Sequence, residues 1–235
     1  MKIKIDIHCH SYYSIDAVSS PYDLIKSGLS KGINGIALTD HDTTAGWSEG
    51  KKAAKKLGAL FIPGQEIKVF KDGKKIGEVL GLFLEKEIKS KEIEDVLEEI
   101  KEQKGISVFP HPFHFWVGFK DNLSKYLGLI DGIEVFNSKA PFSFADKKAL
   151  SFAKKFNLAL LAGSDSHSSQ TVGNAYTFCE GKNLEDFKKA ILEKKTNFVS
   201  KKNPFYYLTL PTFLRGLNKL KKFFLFLKKI NFKTY

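Results

Sequence analysis

Five of the six histidines in this chain lie where short apolar runs stop, most of them close to an acidic residue. Imidazole nitrogens and carboxylate oxygens are the ligands that zinc and similar divalent ions bind in hydrolytic sites. A protein stabilised by its core alone has little reason to end strand after strand in this way, so the sequence predicts a multi-metal site. The segments concerned are His8-Cys9-His10, Thr39-Asp40-His41-Asp42, Gly64-Gln65-Glu66, Pro110-His111-Pro112, Gly132-Ile133-Glu134 and Ser164-Asp165-Ser166-His167.

The spacing within these segments fits metal binding, although each segment alone is a weak signal. His8 and His10 are two residues apart on a predicted strand, so their imidazoles share one face. Asp165 and His167 repeat this spacing late in the chain. Glu66 stands alone after a Pro-Gly pair, which suits a carboxylate that bridges two ions. The prediction rests on the recurrence of such segments.

Apolar runs alternate with helical patterns, which predicts a parallel sheet with crossover helices. Predicted strands cover 3–7, 35–38, 59–62, 106–109, 133–136, 158–162 and 175–178, with a hairpin over 67–70 and 76–83. Predicted helices cover 21–31, 46–57, 93–100, 123–127, 145–156 and 184–193. Donors at the ends of many different strands are typical of a barrel, whereas an open sheet gathers them at one crevice. We therefore expect an α/β barrel made irregular by the hairpin.

The last part of the chain has a different character. Apolar residues recur there at spacings of four and three, with lysines between them, which predicts an amphipathic helix with a basic face. The apolar positions are Phe213, Leu217, Leu220, Phe224 and Leu227. We expect a barrel domain over 1–200 and a C-terminal extension over 201–235 that docks on the barrel or on a second subunit. Contact with a membrane surface or with nucleic acid is the alternative.

Composition narrows the class of protein. The net charge is +12, nearly all of it from lysines scattered over predicted helix surfaces, a pattern that attracts anionic substrates without forming one nucleic-acid stripe. Cys9 and Cys179 are the only cysteines, so no disulfide framework is expected, and Cys9 should be a buried apolar residue turned away from its histidine neighbours. Neither a membrane-spanning run nor a secretory signal is recognisable, so we expect no transmembrane segment and a cytoplasmic protein.

The order of the motifs resembles that of a known family. H-x-H near the start, then Asp16, T-D-H-D, G-x-E, H-P and G-S-D-S-H are similar to the PHP (polymerase and histidinol phosphatase) family over roughly residues 1–198. The resemblance implies a distorted (β/α)7 TIM-like barrel that uses two or three zinc, manganese or iron ions to hydrolyse phosphoesters.

The same resemblance implies a set of metal ligands. One ion would be held by His8, His10, Glu66 and Asp165. A second would be held by Glu66 and His111, with Glu134 as a further ligand, and a third by Asp16, His41 and His167. The candidate catalytic residues are Glu66, as the bridging ligand, and His41 and His167, beside the leaving oxygen.

Other polar residues near these segments are candidates for supporting roles. Asp40 and Asp42 flank His41 and are expected to orient imidazoles rather than to bind metal, with direct binding by Asp40 as the lesser alternative. His114 lies in an aromatic loop and is either an ordinary loop histidine or a contact to substrate. Asn137 is a candidate polar contact to substrate.

The expected reaction is direct hydrolysis of a phosphomonoester by a metal-activated hydroxide, with nucleotides as the leading class of small anionic substrate. The first alternative is an exonuclease that trims 3′ or 5′ ends of DNA or RNA, which would make nucleic acid a partner. The second is a non-catalytic interaction module, although the ligand set is nearly complete. An amidohydrolase is less favoured, because Glu66 stands where a carbamylated lysine would bridge the metals.

Overall fold

Strands and helices alternate through the residues that the computed structural model describes, which are 1–139 and 143–203. The strands are β1 (Lys2–Cys9), β2 (Gly35–Leu38), β3 (Leu60–Lys71), β4 (Lys74–Leu82), β5 (Ile106–Phe109), β6 (Gly132–Asn137), β7 (Ala159–Gly163), β8 (Ala175–Glu180) and β9 (Asn197–Ser200). The helices are α1 (Pro21–Ser30), α2 (Trp47–Leu57), α3 (Ile93–Glu102), α4 (Ser143–Lys155) and α5 (Leu184–Leu192), with a short 3₁₀ helix over Leu123–Tyr126.

Local sequence signals set several helix boundaries. Ser20 caps α1, because its hydroxyl accepts a hydrogen bond from the backbone N–H of Asp23 at 3.0 Å. Pro21 follows in the first turn, where its missing N–H costs nothing. α2 ends at Gly58, whose φ of 66° is the left-handed conformation that glycine adopts without strain.

The nine strands form one sheet in the order β7-β6-β5-β4-β3-β2-β1-β8-β9. The sheet curls until the segment after β7 reaches the end of β1, where the N–H of His10 donates to the carbonyl of Ser166 at 2.8 Å. Cys9 and Ser166 form a parallel bridge at the same place. The expected distorted (β/α)7 TIM-like barrel is therefore confirmed, with β1 to β7 as its nearly closed wall.

Three strands depart from the parallel arrangement, and the first of them, β4, belongs to the hairpin that the sequence predicts. β4 runs antiparallel to both β3 and β5, because it follows β3 through a tight hairpin rather than a crossover helix. β8 is antiparallel to β1, and β9, which the sequence analysis did not predict, is antiparallel to β8. β8 also fastens to β7, since the hydroxyl of Thr177 accepts from the N–H of Ala162 at 2.8 Å.

Two apolar cores lie on either side of this wall. The inner core fills the barrel and includes Ile5, Leu80 and Phe187, the last of which comes from α5. The outer core lies between the sheet and the other helices and includes Leu24 and Leu97. Each buried side chain of this size contributes roughly 1.5–3 kcal/mol relative to exposure, so the two cores stabilise the wall from both faces.

An irregularity in β1 turns its histidines into the barrel. Three steps along β1, from Asp6 to Cys9, match two steps along β2, which defines a β-bulge. Ile7 packs in the inner core, so strict alternation would send His8 and His10 to the outer face. The extra residue reverses this, and Cys9 packs in the outer core instead, away from the two imidazoles as the sequence predicts.

β3 is one strand where the sequence analysis expected two. Its first part, Leu60–Pro63, pairs with β2, and the rest, Gly64–Lys71, pairs with β4. Glu66 lies within this continuous strand and forms a bridge with His41, which follows β2. β3 therefore changes its pairing partner from β2 to β4 just before Glu66. This change places the carboxylate at the end of the barrel.

No helix within 1–139 and 143–203 is long and apolar enough to span a bilayer. The predicted amphipathic helix of the 201–235 extension lies beyond residue 203, outside the residues described. Its docking on the barrel or on a partner stays a prediction.

Candidate metal centre

All nine predicted metal ligands meet at the end of the barrel where the parallel strands finish. The six polar segments that the sequence analysis named converge there together with Asp16, and every donor is buried or nearly so. β1, β3 and β6 supply donors from within the strands or directly after them, and the loops after β1, β2, β5 and β7 supply the others. These donors are His8, His10, Asp16, His41, Glu66, His111, Glu134, Asp165 and His167.

Glu66 stands at the middle of the donor set. Its Oε1 lies 3.5 Å from His8 Nε2 and 3.2 Å from His111 Nε2. Its Oε2 lies 3.3 Å from His10 Nε2 and 2.8 Å from His41 Nδ1. Each carboxylate oxygen thus faces two imidazoles, which is the arrangement that a carboxylate bridging two ions requires.

The spacing of these donors fits divalent ions. Two ligands of one zinc ion, each roughly 2.1 Å from the metal, lie roughly 3.4 Å apart in tetrahedral geometry. His10 Nε2 is 3.3 Å from Glu66 and 3.5 Å from Asp165 Oδ1. Within the described residues, Nε2 of His8 and Nε2 of His10 are buried without a hydrogen-bond partner. Buried orphan nitrogens at these spacings are what an ion would satisfy.

One side of the centre, here called the inner corner, consists of His8, His111 and Glu134. Glu134 Oε1 lies 3.1 Å from His8 Nδ1, and its Oε2 accepts from the backbone N–H of His111 at 2.8 Å. The side-chain amide of Asn137 donates to the same oxygen at 2.9 Å. Glu134 therefore orients both histidines of the inner corner, and its carboxylate can still act as a metal ligand.

The opposite side, here called the outer corner, consists of Asp16, His41 and His167. Asp16 Oδ2 lies 3.2 Å from His167 Nε2 and 3.7 Å from His41 Nε2. The ring of His10 stacks on His41 with centroids 4.3 Å apart and lies 4.5 Å from the ring of His167. His41 is partly open to solvent, so this corner forms the accessible edge of the centre.

Backbone strain accompanies two of these donors. His111 has a φ of 31° and Asp165 a φ of 49°, values that residues other than glycine seldom adopt. Strain of this kind costs of order 1–3 kcal/mol per residue and persists only where the surroundings impose it. Both residues lie shortly after a barrel strand, at the end of the barrel where the donors converge.

Glu66 and Asp165 keep their charge although they are buried. Burial raises the pKa of Glu66, but the imidazoles of His41 and His8 outweigh it and hold that pKa well below its ordinary value. Burial also opposes ionisation of Asp165, and Lys139 and His8 together hold its pKa well below the ordinary range. The centre therefore presents ionised oxygens to an incoming cation.

The imidazoles respond to these carboxylates in different ways. Burial disfavours the charged form of His8 and His41, yet neighbouring carboxylates raise the pKa of both, that of His41 to about 10. His10 has its pKa lowered well below the ordinary value by burial and by His41 and His167. The raised values reflect concentrated negative charge, the same charge that divalent ions would neutralise while leaving the imidazoles unprotonated.

Asp40 lies where the sequence analysis expected an orienting group. Its Oδ1 accepts from the backbone N–H of Ser11 at 2.7 Å and from the hydroxyl of Ser14 at 2.8 Å. Ser14 Oγ in turn lies 3.3 Å from His10 Nδ1 and accepts from the N–H of His41 at 3.1 Å. Asp40 therefore acts on two predicted ligands through a serine, and both of its oxygens are already engaged.

The expectation that Asp42 orients an imidazole is wrong. Its carboxylate forms ion pairs with Lys68 and Lys91 instead. The backbone turns at Asp42 with a φ of 52°, which directs the side chain to the surface between these lysines. Asp42 fastens the loop after β2 to β3, and the carbonyl of Glu66 accepts from its N–H at 2.9 Å.

The two candidate substrate contacts lie beside the inner corner. The ring of His114 is 5.4 Å from that of His111, and burial lowers the pKa of His114 to about 3, so it is neutral. Asn137 donates to Glu134 and, at 3.3 Å, to Asp165 Oδ2. Asn137 is thus engaged with the donor set itself.

Two further residues reach the centre that the sequence analysis missed. Glu78 on β4 is buried, and its Oε2 lies 3.8 Å from His111 Nε2. A lone glutamate in the apolar run of 76–83 was the signal that could have found it. Lys139 lies 3.3 Å from Asp165 Oδ1 and 3.2 Å from His167 Nε2. Nothing in the sequence distinguishes this lysine from the many others.

Large exposed side chains lie on the loops that carry the donors. Phe115 and Trp116, just after His111, are 82% and 70% exposed. Tyr12 and Tyr13 are exposed in the loop between His10 and Asp16, and Phe144, in the first turn of α4, is 76% exposed. Aromatic rings with open faces are the kind of surface on which bases stack.

Comparison with known proteins agrees with this structure. A family model described as PHP-associated matches residues 145–196. An uncharacterized protein of Methanocaldococcus jannaschii is 35% identical over 153 residues, which cover 58% of this chain and 82% of the relative. A 5′-3′ exoribonuclease of Haemophilus influenzae is 43% identical over 86 residues, which cover 37% of this chain and 31% of that protein.

The fold recurs in solved structures. A two-domain protein of Bacteroides vulgatus, which contains a predicted PHP-like metal-dependent phosphoesterase, matches with a TM-score of 0.71. The match covers 92% of this chain and 70% of that one at 21% sequence identity. This likeness shows the shared barrel.

Proposed function

Because the chain belongs to the PHP family, we propose that it is a metal-dependent phosphoesterase that hydrolyses phosphomonoesters, with nucleotides as the leading substrate class. The observation that carries the proposal is the position of Glu66, whose two oxygens each face two imidazoles at 2.8–3.5 Å. A stabilising polar network would satisfy its members internally, whereas this one leaves buried imidazole nitrogens without partners among the described residues.

The residues that would hold the ions are those of the donor set, with two or three ions of zinc, manganese or iron. When bound, such ions lower the pKa of a coordinated water and neutralise charge on phosphoryl oxygens. Glu66 holds four imidazoles at 2.8–3.5 Å from its carboxylate oxygens. Glu134 orients His8 and His111. His41 and His167 line the accessible edge, where a leaving oxygen would depart.

Two features favour a nucleotide over a simpler ester. Phe115 and Trp116 offer exposed rings in the loop that carries His111, and the rings of Tyr12 and Tyr13 lie in the loop that contains Asp16. These rings are close enough in sequence to the metal ligands that a bound base and its phosphate would contact the same loops. A small sugar phosphate has no group for these rings to stack on.

The test is hydrolysis by protein stripped with a chelator and reloaded separately with Mn²⁺, Zn²⁺ or Fe²⁺. Release of inorganic phosphate is measured from sugar phosphates, from 3′- and 5′-mononucleotides and from short oligonucleotides, with the stripped protein as control. We expect release from mononucleotides to be fastest. Absence of turnover on every compound at full metal content would reject the proposal and leave the non-catalytic module.

A second candidate, an exonuclease, is favoured by one observation, the 43% identity to the Haemophilus influenzae 5′-3′ exoribonuclease over 86 residues. The same screen separates the two functions by product. An exonuclease releases mononucleotides from the end of a labelled oligonucleotide, whereas a phosphomonoesterase releases inorganic phosphate and leaves the chain length unchanged.

A further inference from the structure

Lys139 is the one lysine within 1–139 and 143–203 whose ammonium contacts predicted metal ligands. Its Nζ lies 3.3 Å from Asp165 Oδ1 and 3.2 and 3.4 Å from the two ring nitrogens of His167. Its side chain is about three-quarters buried. The ammonium therefore sits between a ligand of the central donor set and a ligand of the outer corner.

The backbone around Lys139 is well anchored. Its N–H donates to Asn137 Oδ1 at 2.9 Å, and the N–H of Ser138 donates to the carbonyl of Gly163 at 3.2 Å. The carbonyl of Ser138 accepts from the N–H of Asn203 at 2.8 Å. The backbone of Lys139 is thus fixed at the edge of the centre, while the flexible side chain allows its ammonium to change partners.

This position conflicts with a metal-loaded centre. Cations bound at Asp165 and His167 would repel an ammonium that shares the same ligands, since like charges a few ångströms apart in a partly buried site cost several kcal/mol, on the order of 4 at an effective dielectric of 20. An anion between the ammonium and the ions removes the conflict. The substrate of the proposed reaction carries such an anion.

The chain has many lysines, but within the described residues Lys139 is the one that contacts predicted metal ligands. Arginine is the usual fork for a phosphoryl group, but Arg215 is the only arginine in the sequence and lies outside the described residues. Lys68 and Lys91 pair with Asp42, and Lys202 pairs with Asp146. Lys139 is therefore the side-chain cation placed to meet the phosphoryl oxygens.

We propose that Lys139 binds the phosphoryl group of the substrate and, in the metal-free protein, takes the place of a cation between Asp165 and His167. The inference rests on the proposed phosphoesterase function for the identity of its anion. Removing the ammonium should therefore have two opposite effects. It should weaken anion binding to the metal-loaded centre and strengthen metal binding to the metal-free centre.

The first experiment measures both affinities in Lys139→Met, which keeps the apolar stem and removes the charge. Calorimetric titration with Mn²⁺ gives the metal affinity of the stripped protein, and titration with inorganic phosphate gives the anion affinity of the reloaded one. We expect phosphate affinity to fall about tenfold or more, as for the loss of one charged hydrogen bond, and affinity for the weakest manganese ion to rise several-fold.

Two variants serve as controls. Lys125→Met removes a lysine that pairs with Asp121 on the surface, so both affinities should equal those of the unaltered protein. Lys139→Arg keeps the charge and should retain most of the phosphate affinity. Thermal unfolding of all three variants verifies that they are folded.

The outcomes are distinguishable. Unchanged phosphate affinity in Lys139→Met overturns the proposal, and so does a parallel fall in both affinities, because a merely structural lysine would weaken both. Absence of phosphate binding to the unaltered, loaded protein overturns it as well. If binding depends on Lys139 but no phosphoester is hydrolysed, the proposed function fails and the anion site stands.

Discussion

The inner and outer corners of the centre use the same kinds of donor but are built differently. His8 and Glu134 of the inner corner belong to strands β1 and β6, and Glu134 is tied by hydrogen bonds to its neighbours on two sides. Asp16, His41 and His167 of the outer corner all lie in loops. Donors on strands hold their geometry more tightly than donors on loops.

This contrast separates a rigid side of the centre from a side where bound ions can exchange. The three side chains of the inner corner are buried, so an ion there would give up its water to ligands that are already oriented. The outer corner is open at His41 and shares His167 with Lys139. We therefore expect the ion of the inner corner to bind more tightly and to exchange more slowly than that of the outer corner.

The largest effect should come from Glu66→Gln, which removes the charge common to both corners. We expect loss of at least one ion and a fall in turnover of more than about 100-fold, beyond what the loss of an orienting residue costs. Metal analysis after dialysis and phosphate release measure the two effects. Full metal content with normal turnover would show that Glu66 does not join the corners.

Glu134→Gln tests the inner corner by itself. Loss of the carboxylate weakens the hold on His8 and His111, so the tightest ion should be lost and turnover should fall about 10- to 100-fold. Titration with a metal indicator separates tight from weak sites. If the weakest ion disappears instead, the assignment of tight binding to this corner is wrong.

Asp16→Asn is the matching change at the outer corner. The amide keeps the shape but lacks the charge that faces His167 and His41, so the weakest ion should be lost while the tightest stays. We expect turnover to fall by roughly tenfold, at the lower end of the range for such losses. Identical metal profiles for this variant and Glu134→Gln would remove the distinction between the corners.

Ser14→Ala should have a smaller effect, because it acts only indirectly on His10 and on His41 of the outer corner. It breaks the connection from Asp40 to His10 Nδ1 and to the N–H of His41, leaving the ligands in place but less well oriented. We expect metal affinity to fall about tenfold or less. Ser11→Ala is the control, because Ser11 contacts Asp40 without reaching an imidazole.

The smallest effect should come from Asp42→Asn, a carboxylate next to His41 that faces away from the centre. Burial opposes its charge, but Lys68 and Lys91 outweigh it and lower the pKa of Asp42. Its contribution to stability is therefore present above the ordinary pKa and is lost as pH falls through the lower pKa of the folded state. Asparagine tolerates the positive φ, so the backbone should not change.

For this variant we expect unchanged metal content and a free energy of unfolding lower by about 1 kcal/mol or less at pH 7, because the lysines are largely solvated. The difference should vanish once the pH falls below the lowered pKa of Asp42 in the folded protein, which urea titrations at a series of acid pH values measure. A difference that persists there would trace to packing rather than to charge. Loss of metal would place Asp42 in the outer corner after all.

The sequence was most informative where chemistry and chain order coincide. Donors follow apolar runs, and strand ends of a barrel share one face, so the convergence of His8, Glu66, His111 and Asp165 was predictable. The helices were also predictable to within a few residues at their ends, because caps and glycines mark them.

The remainder depended on contacts between distant segments. The bulge in β1 appears only through its pairing with β2, and the ion pairs of Asp42 depend on where Lys68 and Lys91 lie in space. β9 is short and mostly exposed, so no apolar pattern marks it. Lys139 reaches the centre because two neighbouring residues anchor its backbone, which no local pattern encodes.

The bulge in β1 also affects which side of the centre is open to solvent. In a regular strand, side chains on one face are about 6.7 Å apart, but here Ile7 and His8 are consecutive and both face the barrel. The apolar side chains of the inner core therefore lie directly next to the donor set. Among the residues described, solvent therefore meets the donor set on the opposite side, where the side chains of His41 and Lys139 are partly exposed.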